Sequence, residues 1–330
     1  MKLNQSPTLK ISFKSLSMTL GIVTAMGAFN SSAFADAHLK PMMKNPGSIS
    51  EIYSGKSSGV KHPKPAPTPS RQSGQLSYYG GSVLANVKVI SVMWGGSVDA
   101  KTVAQVGSFY AAVTHSNYMD WLTEYNTNLH AVDGRQGTGQ TIGRGSFLKQ
   151  VQIAPSRASG KVSDSEVQAE ITKQINAGLL PAPDANTLYM IHFPSSVTIT
   201  QGGGGGQKVA VSCQDFCAYH SAYQKNSAQV NYGVIPDLGS NGCETGCGHF
   251  DTFSNLTITA SHEMIEAITD SGVGLATGNG PNFPMGWYDS RQGEIGDLCA
   301  RTSGSIPGSA GTTFKVQGEW SNSKNTCVTH

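Results

Sequence analysis

The sequence predicts an α/β (or α+β) domain: a mixed sheet flanked by helices, with one central helix and loops tied by disulfides. Three observations carry this. Val87–Trp94 and Thr187–Phe193 are nearly continuous apolar runs rich in β-branched residues, the signature of strands covered on both faces. Helical segments lie between them, Ala100–Val113, Tyr118–Tyr125 and Ser163–Ile175. The alternation of strand, helix and strand favours crossover connections and a partly parallel sheet. Thr257–Asp270 then supplies a further helix, apolar along one arc and polar along the other.

Taken in order, residues 1–35 read as an export signal. Lys2, Lys10 and Lys14 precede an apolar run from Leu16 to Phe29, and Ala33-Phe34-Ala35 provides a small-x-small cleavage site. The run is too short and too rich in Gly, Ser and Thr for a good spanning helix, so a secreted, extracellular protein with no membrane attachment after cleavage is expected. Losing those three lysines takes the formal charge from +2 to −1, which removes any electrostatic case for nucleic acid. Residues 36–74 hold no apolar period, and the polyproline-like Lys61–Pro69 tether marks them as a disordered leader. Residues 75–330 are then a single globular domain.

Within that domain Gly134–Gly145 is turn-rich, and Leu148–Ile153 is expected at a sheet edge. Ser163-Asp164-Ser165-Glu166 is a capping box that opens a helix. The glycine run Gly202–Gly206 lacks the Gly-Lys-Ser/Thr of a phosphate loop and reads as a connector. Gln229–Ile235 is another strand, and the last strands lie around Thr312–Trp320. Six cysteines in an exported chain point to disulfides, whose pairing admits about 15 arrangements. The two C-x-x-x-C pairs, Cys213/Cys217 and Cys243/Cys247, also admit a structural zinc site, which the oxidising location disfavours.

The chemistry sits on the central helix. His262-Glu263-Met264-Ile265-Glu266 places His262 and Glu266 about 40° apart on a helical wheel, with Glu263 about 100° round from His262. Ile258, Ser261, Met264, Ile265 and Ile268 fill the other arc. Zinc hydrolases of the H-E-x-x-H type use this spacing, with ligands at the first and fifth positions and a base at the second. Glu at the fifth position keeps an oxygen ligand. An isolated H-E-x-x-E is more simply a solvated surface pair, so the downstream acids carry weight. Glu294 and Asp297 are the candidates for the remaining ligand, with Asp289 behind them. Zinc is the expected cofactor, and a carboxylate-rich set also admits manganese or calcium. Glu263 would act as the general base. His220 and His249, beside the cysteine pairs, read as buried histidines bonded to backbone, and His192 as core. Trp287 and Tyr288 read as packing, and Asp270 as an outer support.

Several of these stretches together resemble one family. Leu76-Ser-Tyr-Tyr-Gly-Gly with Val87–Trp94, the box Cys213–His220, the box Cys243–Cys247, Ser261–Ala267, Trp287-Tyr288 and Glu294–Cys299 occur in the order seen in the phosphate-induced protein 1, or Exordium-like, family. The resemblance spans about Leu76 to Cys299. Thr269-Asp270-Ser271 departs from the Asn-Pro often found after the family's helix, and Cys327 lies outside the shared block. It implies export and the fold. Two functions follow as expectations. One is a secreted zinc-dependent hydrolase, most suited to protein or peptide substrates. The other is a non-catalytic extracellular protein whose metal or polar site is structural and whose surface binds cell-wall polymer or another protein.

Overall fold

The computed structural model describes residues 42–43, 74–202, 209–275 and 285–330. The export signal, nearly all of the leader and most of the glycine run lie outside the described residues. The strands are β1 (Met42–Met43), β2 (Ser77–Tyr78), β3 (Lys88–Trp94), β4 (Ser146–Ile153), β5 (Gly160–Ser163), β6 (Thr187–His192), β7 (Val197–Gln201), β8 (Ala210–Val211), β9 (Phe216–Lys225), β10 (Ala228–Ile235), β11 (Trp287–Tyr288), β12 (Ser303–Pro307), β13 (Thr313–Gln317), β14 (Glu319–Ser321) and β15 (Thr326–Val328). The α-helices are α1 (Ala100–His115), α2 (Asp164–Asn176), the single turn α3 (Cys243–Gly246) and α4 (Thr252–Thr269).

Six strands form the main sheet in the order β1-β9-β10-β6-β3-β4. β4, β3, β6 and β10 run parallel, whereas β9 and β1 are antiparallel additions, so the sheet is mixed. β1 falls in the stretch expected to lack regular structure, and it pairs with Phe216 and Ala218 of β9. Tyr118–Tyr125, expected as a helical segment, winds as a 3-10 helix over Asp120–Tyr125.

Alternation along the strands sorts the side chains into two cores. Val89 and Met93 of β3 join α1 and α4 on one face, while Ile90, Val92 and Trp94 join α2 on the other. Covering both faces accounts for the continuous apolar character of these strands. β4 lies at the sheet edge as expected, and its Leu148, Lys149 and Gln150 are exposed. The capping box of α2 is formed in both directions between Ser163 and Glu166.

The cysteine boxes interlock. Cys213 bonds Cys243 and Cys217 bonds Cys247, while Cys299 bonds Cys327. Each C-x-x-x-C therefore bridges to the other box, and the sulfurs that a structural zinc would need are consumed. Among the described residues no helix is long and apolar enough to cross a membrane.

α4 corrects the wheel-based picture. It begins at Thr252, with the Asp251 carboxylate accepting from the Phe253 and Ser254 N–H groups. It is buried nearly all round, polar arc included. β9 and β10 pack on one side of it and β13 on the other. Its carboxylates therefore face protein rather than water.

Candidate metal centre

Burying a carboxylate without a partner costs several kcal/mol. The polar arc of α4 therefore has to meet something, and the structure brings two groups of ligand-type side chains to it. His262, Glu266 and Asp297 form one, and His220, Glu263 and Glu266 the other, with Glu266 common to both. Asp297 is half-buried, whereas all the other members are buried.

In the first group, His262 Nε2 lies 3.2 Å from Glu266 Oε2, the i,i+4 pair that the helical spacing predicts. The backbone N–H of Asp297 donates to the other oxygen, Glu266 Oε1, at 3.2 Å. The Glu294–Asp297 loop comes this close because of Gly296. A Cβ there would lie 2.3 Å from His262 Nδ1 and 2.9 Å from Glu266 Oε1. Its φ of −79° is open to any residue, so the requirement is one of space. Gly296→Ala is expected to weaken Zn2+ binding at least tenfold and to cost about 1–3 kcal/mol of stability by overpacking. Zn2+ titration and urea unfolding would measure the two effects.

His262 Nδ1 meets the side-chain amide of Gln317, whose Nε2 lies 2.8 Å away and also donates to Gly296 O. In this orientation Gln317 Oε1 has no partner. Turning the amide over would present that oxygen to an Nδ1–H, the tautomer that leaves Nε2 free to hold a cation.

The second group rests on His220, which projects from β9 toward α4. Its neighbours on that strand face are Ala218 and Ala222, and Gly233 lies opposite it on β10. These small residues leave room for the imidazole under Glu263. His220 Nδ1 is 3.4 Å from Glu263 Oε2 and 3.5 Å from Glu266 Oε2. Its Nε2 is 3.3 Å from Glu294 Oε1. His220, expected as a backbone-bonded core residue, thus belongs to the cluster. Glu294, expected beside His262 and Glu266, stands against His220 instead.

The remaining candidates have other duties. Asp289 accepts N–H groups from Gln75, Arg291 and Gln292 and shapes its own loop. Asp270 Oδ1 accepts from Gly286 N–H at 2.8 Å, pinning the chain that leads to β11. His249 lies against the ring of Phe250, outside both groups. His192 is a core residue bonded to Tyr110 Oη, and burial pushes its pKa down to about 3. Trp287 packs on Tyr78 and Tyr125, as expected.

The electrostatics are lopsided. Glu263, Glu266, Asp270, Glu294, Asp297 and Glu319 gather around two imidazoles. Burial drives Glu263, Glu294 and Glu319 upward, and brings Asp270 to about 6. Glu266 goes the other way: burial opposes ionisation, but His262 and His220 outweigh it and bring the carboxyl down to about 2. For the imidazoles, burial again opposes the charge. Glu294, Glu263 and Glu266 overcome it at His220, and Glu266 and Glu263 at His262, raising both well above the usual value.

No protein-family model, curated protein or solved structure matches this chain.

The donor set itself supports a cation. Metal–ligand distances of about 2.0–2.1 Å in a tetrahedral site put neighbouring ligand atoms about 3.3–3.4 Å apart. One separation in the first group, 3.2 Å, and two in the second, 3.4 and 3.5 Å, fall around that value, and all the ligand atoms of each group lie within 4.8 Å of one another. Several of the facing atoms have no hydrogen-bond partner, namely His262 Nε2, His220 Nε2, Glu263 Oε1, Glu266 Oε2 and Glu294 Oε1. Buried polar atoms are otherwise nearly always satisfied. Gln317 and Glu319 were not singled out from the sequence, where nothing about a β-strand glutamine distinguishes it from a solvated one.

Proposed function

We propose that the chain is a secreted metal-dependent hydrolase acting on peptide-type substrates, with His262, Glu266 and Asp297 holding a divalent cation, zinc first. The observation that carries this is Glu263 Oε1, a fully buried carboxylate oxygen with no partner beside that ligand group. A purely structural ion has no need for a further carboxylate at the second position. A divalent cation held there supplies Lewis acidity, acidifying water and polarising a substrate carbonyl. Glu263 accepts the proton as the water adds and returns it to the leaving amine. Gln317 keeps the His262 ring in place. The order of its cysteine boxes, helix and acidic loop supports kinship with Exordium-like proteins.

A second reading is favoured by a different observation: the side chains of His262, Glu263 and Glu266 expose no surface. Under it the cation is structural, and the outer surface binds wall polymer or protein.

Metal analysis of the purified protein, with casein and peptide assays in the presence and absence of EDTA, separates the two. Hydrolysis that is lost with chelator and restored by Zn2+ is the expected result. A chelator-dependent fall in Tm with no hydrolysis at any metal loading would overturn the hydrolase and leave the structural ion.

A further inference from the structure

Each imidazole in the cluster has its two nitrogens differently occupied. His262 turns Nε2 to Glu266 Oε2 and is met at Nδ1 by the Gln317 amide. His220 turns Nδ1 to Glu263 Oε2 and Glu266 Oε2, with Nε2 toward Glu294 Oε1. A histidine that binds metal through one nitrogen characteristically donates the other ring N–H to a carboxylate or carbonyl oxygen. Glu294 is placed to accept from His220, and Gln317 Oε1, once the amide is turned, from His262. The pattern is laid out at His220; at His262 it requires Gln317 to give up its bond to Gly296 O. Glu266 Oε2 faces both rings.

We propose that the cluster holds two divalent cations sharing Glu266, an outer one at His262, Glu266 and Asp297 and an inner one at His220, Glu263 and Glu266, with Glu294 orienting His220. The outer position is the one assigned under the proposed function, so the inference rests on that reading and extends it. Paired cations in hydrolases stand about 3.5–4 Å apart, and a shared carboxylate oxygen suits that spacing. Glu263 would meet the inner cation through Oε2 and keep Oε1 for the proton. The two positions differ in access, because the outer includes half-buried Asp297 and the inner is buried throughout. The inner cation should therefore exchange more slowly.

The test counts bound Zn2+ on the full exported chain after equilibrium dialysis, using plasma mass spectrometry and no activity readout. The expected result is two ions per chain, released by EDTA in a fast and a slow phase. His220→Ala should retain one, released in the fast phase. Glu294→Gln leaves every proposed ligand in place, guards against a misfolded His220→Ala, and should weaken only the slow ion, by about 10–100-fold. One ion in the wild type that survives His220→Ala overturns the inner site and leaves the outer one standing. One ion that disappears with His220→Ala also overturns the pair, placing the sole cation on β9. No bound ion in the wild type overturns both this inference and the metal-dependent function.

Discussion

Glu263→Gln is expected to lower turnover about 10²–10⁴-fold while the fold and the cation at His262, Glu266 and Asp297 persist. Gln matches the shape of Glu but cannot take up the proton. The helix is retained, because Glu263 adds no cap and makes no i,i+4 pair. Its cost in stability should be small, since the substitution removes a buried carboxylate whose Oε1 has no partner. Oε2 faces His220, so the inner cation would loosen, and turnover should be compared at saturating Zn2+. Peptide cleavage and metal content measured on the same sample give the answer. Unchanged cleavage would remove Glu263 from the chemistry, and loss of the outer ion would make it a ligand there.

The second large effect concerns the interlocked bridges. Both Cys213–Cys243 and Cys217–Cys247 span 30 residues, and they are offset by four residues at each end. Chain entropy then predicts a non-additive result. While one bridge remains, the other closes only a small ring, so removing either pair alone should cost roughly 2.5 kcal/mol, and removing both about 6 kcal/mol. The excess over the sum measures the coupling of the two rings. Urea unfolding of the two Cys→Ser pair variants and their combination provides the three values. A combined loss no larger than the sum of the single losses would exclude the account.

Much of the frame could be read before the coordinates. β3 and β6 declared themselves through unbroken apolar runs, α2 through its capping box, and β4 through its polar side chains at an edge. The i,i+4 pairing of His262 and Glu266 followed from helical spacing alone. What the wheel could not supply was the identity of the groups opposite the polar arc. On α4 it faces β9, β13 and the Gly296 loop, and a helical wheel holds no information about what lies across from it. His220 was hidden for a related reason. Its signal was the small residues around it, Ala218 and Ala222 along β9 and Gly233 on β10, and the last of these is found only once the strands are paired. Glu294 and Asp297 are three residues apart and were taken together, yet the 3-10 turn that begins at Asp297 sends them to different imidazoles.

The contributing residues also fix an order of assembly. β9 supplies His220 first, α4 follows with three side chains, the Gly296 loop closes over them, and Gln317 of β13 arrives last. A nascent chain ending before β12 would have the helix and the loop's acids but not the amide. The outer position proposed above is therefore completed only after the Gly296 loop and β13 have been made. A protein truncated before Glu294 should lose the outer position, which needs Asp297, while every ligand of the inner one is still present.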